Sequence, residues 1–129
     1  MSIQTAPAPG DPTAETWDVV CLLDDLLPER GVAALVHDTQ VAVFRLHDDT
    51  VLAVQQRDPY SGANVLSRGI VGTRTVDGTE VPTIASPMYK QVFDLRTGTC
   101  LETVGQNPRH LRTWPVRVVA GVVEIGTPA

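Results

Sequence analysis

The residue types able to do chemistry in this chain are three histidines, two cysteines and a few adjacent carboxylates. His37, His47 and His110 have no cysteine or carboxylate company at metal-ligand spacing, so each reads as a surface or strand-end residue. Cys21 and Cys100 stand far apart, which makes neither a disulfide framework nor a metal knuckle. A nucleophilic cysteine needs a base and an electropositive setting; both instead sit in apolar runs and are expected to be small buried hydrophobes. Asp24-Asp25 and Asp48-Asp49 could act as acid pairs, but their surroundings read as a helix start and a solvated turn. No G-x-S-x-G elbow, P-loop, G-x-G-x-x-G fingerprint or H-E-x-x-H helix occurs. Two stretches remain, 57–69 (RDPYSGANVLSRG) and 86–91 (SPMYKQ). Both are polar, both carry proline, and irregular loops on a compact scaffold are where function concentrates.

The elements that must hold these loops are short and β-rich. Residues 16–21 are aromatic and β-branched, and 22–27 allow one helical turn before Pro28 stops it. Apolar runs at 31–37 and 40–47, joined at Asp38-Thr39, suit a hairpin, and Asp48-Asp49 leads into a strand at 50–55. Residues 70–75 and 80–85 flank Val76-Asp77-Gly78-Thr79, and Asp-Gly is a strong hairpin signal. Strands at 92–95 and 99–102 are separated by Arg96-Thr97-Gly98, and 116–119 pairs with 122–125 across Ala120-Gly121. Turn signals every 8–12 residues or so mean an antiparallel sandwich or barrel. No long window has the period of about 3.6 residues that a helix requires. An all-β fold is expected.

Composition narrows the class further. With 129 residues, a formal net charge of −5, 43% hydrophobic and 19% charged residues, the chain can build one core-bearing domain. A pI near 5.0 argues against a nucleic-acid binder, whose affinity comes from cations on phosphates. No apolar run approaches the ~18 residues of a membrane span, and no basic-then-apolar leader is visible. Residues 1–15 hold three prolines and no large apolar residue after Ile3, so a disordered tail is expected there and a β domain over 16–129. Gly69, in the first loop, is a candidate for a positive-φ turn. The two cysteines, forming no disulfide framework, point to a reducing compartment.

The order of the two loops resembles Rieske-type domains, which present Cys-x-His on one loop and Cys-x-x-His on a second. A glycine and an F-D-x-x-x-G stretch follow, and the four side chains hold a two-iron, two-sulfur cluster. Here the first loop reads Arg57-Asp58-Pro59-Tyr60-Ser61-Gly62-Ala63, and the second runs Ser86-Pro87-Met88-Tyr89-Lys90-Gln91 into Val92-Phe93-Asp94-Leu95, ending Arg96-Thr97-Gly98. The prolines and the Phe-Asp-Leu and Thr-Gly pieces keep the frame. All four ligand positions are changed, to Asp58, Tyr60, Ser86 and Tyr89. Serine and neutral tyrosine do not hold iron in a sulfide cluster, and one aspartate alone cannot.

A ligand-free frame of this kind resembles the small subunit of assimilatory NADH-dependent nitrite reductase, over roughly 17–125. Val65-Leu66-Ser67-Arg68-Gly69-Ile70, Ala85-Ser86-Pro87-Met88-Tyr89-Lys90-Gln91 and Trp114-Pro115-Val116-Arg117-Val118 carry that resemblance. It implies a Rieske-like antiparallel β-sandwich with two irregular loops at one end, and a cytoplasmic accessory subunit with no catalytic residue, cofactor or metal of its own. The partner implied is a large subunit carrying siroheme, an iron–sulfur cluster and FAD. Together they would reduce nitrite to ammonium with NAD(P)H in nitrate assimilation, with no role for nucleic acid or membrane. The alternative is a cluster-free module serving another oxidoreductase complex. Arg57, Asp58, Tyr60, Met88, Tyr89 and Lys90 have an interface composition, aromatic and Met anchors with a cationic rim, and are the expected partner-binding set. With the metal lost, Pro59 and Pro87 would restrain the loops and the tyrosine rings would fill the vacated space. A hydroxyl of Tyr60 or Tyr89 is expected to bond Asp58, Ser86 or the backbone of the opposite loop.

Overall fold

Val41-Ala42-Val43-Phe44 is apolar without alternation, and a strand of that kind has no face to give to water. In the computed structural model, which describes residues 16–103 and 105–127, the segment lies in β3 (Thr39–Arg45) with all four side chains buried. Val41 and Val43 join a core with Leu26, Val36, Trp114, Val123 and Ile125. Ala42 and Phe44 point the other way, into a core with Leu66, Ile84, Phe93, Leu95 and Leu111. One sheet is therefore shared by two cores.

That middle sheet has the order β2 (Arg30–Val36), β3, β4 (Val51–Gln55), β9 (Thr113–Trp114). On one face lies a sheet of β1 (Thr16–Leu22), β11 (Val122–Thr127) and β10 (Val116–Val119). On the other lies the sheet of β5 (Ile70–Val76), β6 (Thr79–Ala85), β7 (Val92–Asp94) and β8 (Cys100–Glu102), which carries the second loop. All the strand pairings are antiparallel. The all-β antiparallel architecture expected from the sequence is the one observed. The tail expected at 1–15 lies outside the described residues.

Turn chemistry sets the registers. Asp77 and Gly78 have φ of 50° and 80°, and Ala120 and Gly121 have 51° and 79°, the left-handed pair that a tight hairpin demands. The β2–β3 turn falls at His37-Asp38, with φ of 48° and 67°, one residue earlier than the expected Asp38-Thr39. Full burial of Val36 and Val41 fixes the register there, and the turn takes the two residues left over. The helical turn before Pro28 is a 3-10 turn at Leu23–Asp25. Among the described residues no helix is long and apolar enough to cross a membrane.

Candidate functional site

The two loops meet at one end of the molecule, at a polar contact buried between them. Asp58 is wholly buried, and its Oδ1 accepts from the backbone N–H of Tyr60 at 2.8 Å and of Ser61 at 3.3 Å. That Asx turn is closed by Asp58 N–H to Ala63 O and Gly62 N–H to Asp58 O, both 2.8 Å. The second loop folds the same way around Ser86, whose N–H donates to Gln91 O at 2.9 Å and whose carbonyl accepts from Lys90 N at 3.0 Å. Ser86 is buried, and its hydroxyl donates across the gap to Asp58 Oδ2 while accepting from Met88 N at 3.2 Å. One serine–aspartate hydrogen bond thus ties loop to loop.

The tyrosines do not make that link, contrary to the expectation. Tyr60 turns outward to a strap, residues 105–112: its hydroxyl donates to Asn107 O at 2.9 Å and accepts from Arg109 N at 2.8 Å. Arg109 completes the clasp by donating to Pro59 O at 3.0 Å. Burial, with the nearby Cys100 thiol at 3.6 Å, pushes the Tyr60 phenol above its ordinary pKa. Tyr89 is 51% exposed. One ring is braced within the molecule and the other is offered to solvent.

The expected partner-binding set therefore divides. Asp58 is buried and Tyr60 is committed to the strap, so neither can anchor a partner through its polar atoms. Arg57, Met88, Tyr89 and Lys90 are exposed. Lys90 stands at the family's glycine position with φ of 63°, a left-handed conformation that costs a side-chain-bearing residue roughly 1–2 kcal/mol. Sequence reasoning missed Ile70, 74% exposed and paired with Ala85 just before the second loop. An isoleucine at a strand start gives no signal of its own exposure.

Two glycines let the loops sit close. A Cβ on Gly69 would lie 2.3 Å from Ala85 O, so this glycine serves close approach; its φ of −73° corrects the expected positive-φ turn. Gly98 needs both properties, with φ of +78° and a Cβ that would meet Leu111 O at 2.1 Å. The cysteines are half-buried rather than buried, both free, and burial beside Asp25 raises the Cys21 thiol's pKa. His37 pairs with Asp18 at 2.8 Å, His47 lies 3.9 Å from Glu29, and His110 accepts from Cys100 N at 2.9 Å. These are structural contacts, the last of them within the strap that holds Tyr60.

Asp58 and Ser86 converge as two ligands of one iron would, but their oxygens satisfy each other. Gln91, whose carbonyl accepts from Ser86 N–H, brings a buried amide with no partner among the described residues, and an amide is not a thiolate or imidazole. Among the described residues no group of three or more His, Cys, Asp and Glu could hold a metal ion. These residues do not fit an iron–sulfur cluster.

Three antiparallel sheets ending in two apposed, proline-bearing loops define the Rieske class of domain. Residues 16–126 match the family described as "Rieske-like [2Fe-2S] domain", and the chain belongs to it. Within it the chain groups with the nitrite reductase small subunits. It is 40% identical over 110 residues to the "Nitrite reductase (NADH) small subunit" of Escherichia coli (strain K12), covering 84% of this chain and 95% of that one. The NMR structure of the E. coli protein NirD superposes with a TM-score of 0.73 at 38% identity, covering 88% of this chain and 98% of that one. The "Nitrite reductase [NAD(P)H] large subunit" of Klebsiella oxytoca contains a segment 38% identical over 127 residues, 95% of this chain and 12% of that protein.

Proposed function

We propose that this chain is the small subunit of an NAD(P)H-dependent nitrite reductase, an accessory that holds no redox centre and binds the large subunit through its loop end. The observation that carries this reading is the Klebsiella oxytoca large subunit, where a segment like this chain lies within the polypeptide it would otherwise have to find. Covalent union raises the effective concentration of two parts that work together. The siroheme, FAD and iron–sulfur chemistry then belongs to the large subunit, with nitrite reduced to ammonium in the cytoplasm as part of nitrate assimilation.

The loop end supports a docking role. Met88, Tyr89 and Ile70 are large apolar side chains left exposed, with Lys90 and Arg57 as the cationic rim. Aromatic and Met anchors within charged margins are the usual composition of protein interfaces. The Asp58–Ser86 bond keeps this end in shape with no metal to organise it.

The test is co-purification with the large subunit, followed by NADH-dependent nitrite consumption and ammonium release. The chain is expected to co-purify, to raise turnover, and to be colourless and free of iron and acid-labile sulfide when isolated. Tyr89→Ala with Lys90→Glu should fold normally and lose most of the complex. Stoichiometric iron and sulfide in the isolated chain, or no association with the large subunit, would overturn the proposal.

A further inference from the structure

Arg112 is fixed from two sides. Its N–H donates to Gln55 Oε1 at 2.7 Å and its carbonyl accepts from Gln55 N at 2.9 Å. Its guanidinium lies 4.1 Å from the Trp114 ring centroid. Stacking of this kind orients a cation without neutralising it. Arg45, Arg74, Arg96 and Arg117 each have a carboxylate partner; among the described residues Arg30, Arg57, Arg68, Arg109 and Arg112 have none. Of these five, Arg57 and Arg112 face one cavity, in a chain whose net charge is −5.

They share a groove of about 420 Å³, which Asp38, Gln40, Asn64 and Trp114 also line. Beyond Arg112 and Trp114 a second recess of about 360 Å³, reaching Val36, uses the same wall. We propose that this groove receives an extended acidic segment of the large subunit, whose carboxylates pair with Arg57 and Arg112. The inference rests on the proposed function and adds a second contact region to it.

Three observations select such an occupant. Guanidinium groups match carboxylates in a bidentate fork, which a fixed arginine supplies at low entropic cost. Asp38 can accept from a backbone N–H, and the amides of Gln40 and Asn64 both donate and accept, as a peptide requires. The groove is also continuous with the loop end, because Arg57 and Asn64 form the bridge that closes the first loop. A protein seated on that loop reaches the groove without leaving the surface.

The experiment measures association of the full chain with purified, siroheme-loaded large subunit at low and at physiological salt. Arg112→Glu and Arg57→Glu are each expected to weaken binding at least tenfold and to flatten its salt dependence, with the loss concentrated in the association rate. Arg30→Glu, at an exposed arginine outside the groove, should stay within twofold of the parent. Melting curves identify any variant that fails to fold; because Arg57 also belongs to the loop-end rim, Arg112→Glu decides the groove, and Arg112→Gln repeats the test with the charge removed rather than reversed. If the parent binds and both Arg112 variants match it within twofold, the groove assignment is overturned while the subunit assignment stands. If the parent itself does not bind, the subunit assignment fails and the groove assignment falls with it.

Discussion

A buried carboxylate is tolerated only when its oxygens are occupied, and Asp58 spends both on loop geometry. Ser86→Ala removes one donor and strands Oδ2 in a dry site, so the expected cost is about 1.5–3 kcal/mol. A urea titration should show a lowered midpoint with an unchanged slope. Lys90→Gly goes the other way. It relieves a left-handed side-chain-bearing residue, so stability should hold or rise by up to about 1 kcal/mol, while co-purification with the large subunit falls. Stability and binding moving in opposite directions would mark the lysine as kept for its contact. The positions of Asp58 and Ser86 were legible from the frame of prolines and Phe-Asp-Leu. Their mutual bond was not, because it joins residues 28 apart that only the tertiary fold brings together.

At the scale of elements, the strap matters as much as the loops it braces. Its hold on Tyr60 depends on a neutral phenol that both donates and accepts. The folded-state pKa is raised, chiefly by burial. The contribution of this group is therefore complete below the unfolded value of about 10 and is lost as pH climbs through the raised one. Tyr60→Phe should be less stable than the parent at neutral pH, and the gap should narrow above about pH 10, as followed by equilibrium unfolding across an alkaline series. The strap was invisible in the sequence, since residues 105–112 offer one buried apolar side chain, Leu111, and no periodicity. Hairpins at Asp77-Gly78 and Ala120-Gly121 were readable because glycine is cheap at positive φ. His37-Asp38 carries no such mark, so the sequence pattern alone puts the turn one residue late.

For the molecule as a whole, β3 and β4 belong to both cores, so neither outer sheet has a floor of its own. Unfolding is expected to be one cooperative step: aromatic near-ultraviolet and backbone far-ultraviolet signals should share a midpoint. Two separated transitions would show that the sheet carrying the second loop opens independently. The same sharing explains how a domain of this size keeps its loops apposed by hydrogen bonding and packing. A stability of roughly 5–15 kcal/mol is ordinary for such domains.

The hairpin tip at Asp77-Gly78 is where that interlocking can be seen by subtraction. A protease nick there would sever no buried contact, for Val41, Phe44 and Leu66 lie before the cut, and Ile84, Phe93, Trp114 and Ile125 after it. Both hydrophobic interiors draw on both fragments. The two pieces should therefore travel as one particle on a sizing column, and separately made halves should recognise and complement each other on mixing.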